Sequence, residues 1–144
     1  MLLIKELHNN YEKIPKTGGV YFILAPDNFI FMPMETTTGR PLYKGKSTLY
    51  PLNDLKNKWE SGDKKTLYIG KANCLRDRLK AYIKWGYNES GSAHRGGSAI
   101  WQIKESYNLL VKWEEHSLPL EYEKELLEKY YKNYSVYPVA NWRN

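Results

Sequence analysis

Thr66-Leu67-Tyr68-Ile69-Gly70-Lys71-Ala72-Asn73-Cys74-Leu75-Arg76-Asp77-Arg78-Leu79 is the stretch from which the fold can be read. Its first four residues are apolar or β-branched and predict a short strand that Gly70 stops. Asn73 then has the side chain to cap a helix running to about Trp85. At 100° per residue, Leu75, Leu79, Tyr82 and Ile83 form one apolar stripe on that helix. Arg78 falls beside Tyr82 at the edge of the stripe, while Arg76, Lys80 and Lys84 project away from it.

Upstream, Leu2, Leu3, Leu7 and Tyr11 recur at helical spacing and predict a short helix over 2–12, ended by Pro15. Val20-Tyr21-Phe22-Ile23-Leu24 reads as a strand, Pro26-Asp27-Asn28 as a turn, and 29–32 as a second strand. Residues 33–66 carry repeated Pro and Gly breakers, with room for a helix over 52–59; a loop region that long reads as an insertion. Downstream, 98–107 predicts a helix and 109–113 a strand. Pro119 opens a helix running to about Tyr134. Short strands interrupted by helices predict an α+β domain: a small, mainly antiparallel central sheet flanked by helices.

The last predicted helix carries an acid on its apolar side. Leu120, Leu126, Leu127, Tyr130 and Tyr134 lie within about 60° of Glu123 on the helix surface, whereas Glu121, Glu125 and Glu128 fall on the far side. Inward carboxylates are rare unless paired, hydrogen-bonded or bound to a metal. Both readings, a structural ion pair and a functional acid, remain open at this level.

The chain has 144 residues, which suits one domain, with residues 1–16 as a helical extension and 33–66 as the insertion. Mean hydropathy is −0.69 and no apolar run is long enough to cross a bilayer. The single Cys74 excludes a disulfide framework and any multi-cysteine zinc site, and the N-terminus turns polar too soon for a secretory leader; the cytoplasm is the default compartment. Net charge is +6, with thirteen Tyr and five Trp, a composition compatible with a polyanionic partner. The charge is uneven. Residues 40–84 hold twelve Lys/Arg against four Asp/Glu, and 114–128 hold one Lys against six Glu. The basic half suits a phosphate backbone, and the acidic half suits DNA only where a carboxylate holds a cation.

Gly19-Val20-Tyr21 and Tyr68-Ile69-Gly70 together resemble the two signature triads of the GIY-YIG nuclease family. The second continues through Lys71, Ala72 and Leu75 to Arg78, ten positions past Tyr68, as that family's helix arginine does. Glu123, followed by Leu126 and Leu127, resembles its late metal-binding glutamate, and Pro138-Val139-Ala140-Asn141 its terminal asparagine. His94 sits where some members carry an active-site histidine. The resemblance covers roughly 17–141. One departure is plain: 46 residues, Phe22 to Leu67, separate the triads where about ten are usual, which places the insertion in the first hairpin.

The resemblance implies an endonuclease that hydrolyses DNA phosphodiester bonds, duplex DNA first among its substrates, with one Mg²⁺ or Mn²⁺ held by Glu123. It implies Tyr21 as base or water-positioner with Tyr68 alongside, Arg78 as phosphate stabiliser, and Lys71 as a cation favouring phenolate. Tyr82 and His94 would orient the phosphate or pass protons. Gly70 would admit close backbone approach and Asn141 would fix local backbone geometry. Lys44, Lys46, Arg76 and Arg95 are the candidate DNA contacts. The chemistry is coherent: a planar guanidinium forks onto phosphate oxygens, and oxygen ligation suits a hard cation. The competing reading is a non-catalytic nucleic-acid-binding module on the same fold. A generic protein-interaction domain is a third, and it leaves Glu123 unexplained.

Overall fold

Strand β2, Gly19–Leu24, is buried along its whole length, as its apolar run Val20 to Leu24 requires. In the computed structural model, which describes residues 1–89 and 96–142, it lies at the centre of a four-stranded antiparallel sheet. The partners are β1 (Leu2–Leu3), β5 (Thr66–Ala72) and β6 (Leu110–Glu115), in the order β1-β6-β2-β5. Strands β2 and β5 pair with Tyr21 opposite Gly70 and Val20 opposite Lys71, so the two glycine–tyrosine triads are cross-strand neighbours. A small second sheet, β3 (Leu42–Tyr43) with β4 (Lys46–Ser47), lies in the segment between them. The α+β class and antiparallel sheet match the sequence expectation. Among the described residues no helix is long and apolar enough to cross a membrane.

Side-chain alternation gives the sheet two apolar faces. Tyr21, Ile23, Tyr68, Ala72 and Val111 pack with α3 (Leu75–Gly86) through Leu75, Leu79, Tyr82 and Ile83. Val20, Phe22, Leu24 and Ile69 pack with α4 (Pro119–Tyr134) through Leu127.

Several local expectations are corrected. Residues 2–12 are not one helix: Leu2–Leu3 pair with Val111 and Leu110, Ile4–Leu7 (α1) is α-helical, and a separate 3₁₀ turn covers Tyr11–Lys13. The sheet captures the two leucines because β6 offers their backbone a pairing partner and their side chains partial cover. Residues 29–32 form no strand; Phe31 instead stacks on Trp59 at 4.7 Å. The stretch 98–107 forms two short 3₁₀ turns, Ser98–Gln102 and Ser106–Asn108. Gly70 does not stop β5, which continues to Ala72. Asn73 does not cap α3. The orphan N–H groups of Leu75 and Arg76 donate to the carbonyls of Thr17 (2.8 Å) and Pro15 (3.0 Å).

The segment 33–66, expected to be an insertion, folds back on the domain. Its helix α2 (Leu52–Ser61) drives Leu55 into the main core, and Thr48 is buried with its hydroxyl on the Arg40 carbonyl at 2.7 Å. Arg40 lies 4.9 Å over the Trp85 ring and donates to the Glu89 carbonyl at 2.8 Å. The β3–β4 tip is exposed, and there Lys44 and Gly45 both take positive φ to make the turn.

Candidate active site

Three tyrosine rings meet where β2, β5 and α3 pack. Tyr21 and Tyr68 are 5.9 Å apart edge to face, Tyr68 and Tyr82 5.7 Å stacked, and Tyr21 and Tyr82 6.1 Å tilted. Two glycines make room for them. A Cβ at Gly70 would stand 2.6 Å from the Tyr21 hydroxyl oxygen. A Cβ at Gly97, itself at φ +76°, would stand 2.7 Å from the Tyr68 ring. Gly70→Ala is therefore expected to cost about 1–3 kcal/mol by overpacking, read as a lower urea midpoint.

The hydroxyls are ordered in a chain. Arg78 donates from its guanidinium to the Tyr21 oxygen, and the Tyr21 O–H donates to the Tyr68 oxygen. Burial pushes Tyr21 well above the usual phenol range and raises Tyr68 as well; at Tyr68 the Tyr21 hydrogen bond and the Arg78 charge pull the other way. The Glu123 carboxylate acts on Tyr68 too, and its negative charge opposes phenolate. Residues from β2, β5, α3 and α4 thus converge on one hydroxyl pair.

Exposure separates the two phenols. Tyr21 is 0% exposed and Tyr68 7%, so of the two side chains Tyr68 is the one that reaches the surface. Tyr21, expected as the base or water-positioner, stands behind it. Tyr82 is also fully enclosed, and its hydroxyl donates to the Gly97 carbonyl at 2.8 Å; it floors the site and has no free proton to pass to a phosphate.

Other expected residues fall differently. Arg78 is exposed yet reaches the buried Tyr21 oxygen, so it spans solvent and site. Arg76 does not project into solvent: its Nε donates to the Ile14 carbonyl at 2.7 Å and a terminal nitrogen to Glu12 at 3.0 Å. Lys71 is exposed, and the pleat directs it to the α4 face, away from Tyr21 and Tyr68. Glu123 is half-buried. The α4 stripe that packs is Tyr122, Leu126, Leu127 and Tyr130, whereas Leu120 and Tyr134 are exposed. A helical wheel assumes a wall along the whole helix, and α4 packs chiefly on β5 and β2. His94 and Arg95 lie outside the described residues. Lys44 and Lys46 are exposed on the β3–β4 tip.

Asn141 holds the free edge of β5. Its Oδ1 accepts from the Ile69 N–H and its Nδ2 donates to the Ile69 carbonyl, both at 2.9 Å, and the Ala140 N–H donates to Leu67 at 2.8 Å. One amide side chain thus completes the edge next to Tyr68 as a further strand would.

No protein-family model, curated protein or solved structure matches the chain.

Among the described residues no three His, Cys, Asp or Glu cluster as a protein-only metal cage. Mg²⁺ does not need one, since it keeps several waters and takes one or two carboxylates plus substrate phosphates. Glu123, partly solvated and electrically coupled to Tyr68, fits that donor set. An open groove of about 390 Å³, lined by Met1, Phe22, Leu24, Lys65, Thr66 and Lys112, lies on the α4 face and offers no acid or histidine.

Residues the sequence did not single out also shape the site. Gly97 leaves the space that the Tyr68 ring fills. Tyr50, from the segment between the two triads, acts electrostatically on Tyr68.

Proposed function

We propose that this chain is a metal-dependent endonuclease of the GIY-YIG type that hydrolyses phosphodiester bonds of duplex DNA. The observation that carries the reading is the hydrogen-bonded chain Arg78–Tyr21–Tyr68, with Glu123 coupled to its outer end. An aromatic core needs neither a guanidinium on a buried hydroxyl nor a carboxylate beside it.

On this reading Tyr68 positions the attacking water and Tyr21 fixes the Tyr68 lone pairs. Arg78 has five N–H donors, so it holds Tyr21 while presenting others to the phosphoryl oxygens. Glu123 would hold a Mg²⁺ or Mn²⁺ ion, which supplies Lewis-acid charge neutralisation at the phosphoryl group. Water oxygen bonds to phosphorus, the ester oxygen departs, and the water proton leaves through the Tyr68 hydroxyl and bulk solvent. Because burial holds both phenols neutral at pH 7, turnover should rise with pH until Tyr68 ionises.

The test is incubation with supercoiled plasmid, with and without Mg²⁺. Nicked circles should appear before linear product, and only with metal, since one site cuts one strand. Binding without cleavage under any divalent metal would overturn the reading in favour of a non-catalytic DNA-binding module. The complete burial of Tyr21 is the observation that favours that second reading.

A further inference from the structure

The insertion and the C-terminal segment are joined by a latch outside the tyrosine site. Lys58 of α2 donates from Nζ to the Asn141 carbonyl and stands 3.9 Å over the Trp142 ring. Tyr50 stacks on the same indole at 4.6 Å with planes 7° apart. The Tyr50 backbone is held on both sides by the buried Gln102, which accepts from its N–H at 2.9 Å and donates to its carbonyl at 2.8 Å. The latch therefore has a rigid anchor at one end. At the other end is the Asn141 side chain, bonded twice to Ile69, the residue after Tyr68.

We propose that Lys58 is a positioning residue for Tyr68: by holding the Asn141 carbonyl and the Trp142 ring it seats the Asn141 amide on Ile69, and so fixes the strand segment that carries the Tyr68 hydroxyl. The role of Tyr68 rests on the nuclease reading above; the seating of Asn141 does not.

The physics of the link is directional. β5 is an edge strand, and at Ile69 its outward N–H and C=O have Asn141 as their partner. An edge held by one side chain is only as fixed as that side chain's backbone. Lys58 supplies a charge-assisted hydrogen bond and a cation–π contact to that backbone, and both weaken when the ammonium loses its proton. Burial lowers Lys58 to about 8, with Asp54 on the same helix pulling the other way. Among the described residues Tyr50, across the C-terminal segment, is a further titratable group at the latch. The latch is thus closed at neutral pH and opens above about pH 8.

The experiment compares the wild-type chain with Lys58→Met, which keeps the stem and removes the charge, and Lys58→Arg, which keeps the charge at all accessible pH. Amide hydrogen exchange at pH 7 is read by NMR at Ile69, with Val111 in the sheet as control. Ile69 exchange should rise about tenfold in Lys58→Met, as expected for losing one charge-assisted hydrogen bond, and stay near wild type in Lys58→Arg. Val111 should be unchanged in both. On plasmid, Lys58→Met should lower kcat at unchanged KM. The rise of turnover with pH should be cut short above about pH 8 in the wild-type chain, where the latch opens, and continue further in Lys58→Arg. Unchanged Ile69 exchange in Lys58→Met overturns the latch, whatever the cleavage assay gives. Raised Ile69 exchange with unchanged kcat overturns the positioning of Tyr68. A wild-type chain that cuts no DNA defeats the nuclease reading and with it the role at Tyr68, while the exchange data still decide whether Lys58 seats Asn141.

Discussion

Glu123→Ala is expected to abolish DNA cleavage while leaving the chain folded. Glu123 is half-buried on α4 beside the packed stripe of Leu126, Leu127 and Tyr130, so shortening it opens no core cavity. It is also the carboxylate that acts on Tyr68, so its loss removes the donor proposed to hold the cation. Titration calorimetry with Mg²⁺ and Mn²⁺ in the presence of uncleavable DNA should show the metal-dependent heat vanish in the variant. The thermal midpoint should shift by no more than a few degrees, in keeping with a partly exposed substitution. Retained metal affinity together with retained cleavage would transfer the assignment to Glu125 or Glu128, which α4 presents to solvent.

Arg78→Ala and Arg76→Ala should separate sharply, two residues apart on one helix. Arg78 bonds to the Tyr21 oxygen at the head of the hydroxyl chain. Removing a charge donor aimed at the transition state typically lowers kcat by about a hundredfold or more. Arg76 ties α3 to the Ile14 and Glu12 carbonyls. Its loss should cost about 1–2 kcal/mol of stability, since two charge-assisted hydrogen bonds at a half-exposed site go with it, and leave kcat near wild type. Rates under saturating DNA, set beside urea midpoints, read both effects. Equal losses of kcat in the two variants would defeat the assignment of Arg78.

The insertion shows why a basic composition is a weak guide to a binding surface. Residues 40–65 look solvated by charge count, with Arg40, Lys44, Lys46, Lys56, Lys58, Lys64 and Lys65 among them. Yet Arg40 lies on Trp85, Lys58 lies on Trp142, and Leu55 enters the main core. Long cationic side chains cover apolar surface with their stems, so counting charge does not show which of them face water. Lys44 and Lys46 on the β3–β4 tip, Lys56 on α2, and Lys64 and Lys65 just before β5 are the ones that face water.

Sequence alone determined the features whose physics is local. The apolar run 20–24 has nowhere to go but the middle of a sheet. Pro119 and the periodicity after it set α4 at Pro119–Tyr134. The spacing from Tyr68 to Arg78 is a strand, a turn and one helical turn, and it was legible as such. Tertiary structure decided whatever depends on a distant partner. The sheet turned Leu2–Leu3 from helix to strand, because backbone hydrogen bonds to β6 outweigh a weak local propensity. It carried β5 through Gly70, because the missing side chain is the space that the Tyr21 ring fills. It put Tyr68 in front of Tyr21, because two residues on one face of paired strands share that face unequally once a helix closes over it. It bound Arg76 to carbonyls sixty residues upstream and Lys58 to one eighty residues downstream, and no periodicity in the chain encodes those contacts.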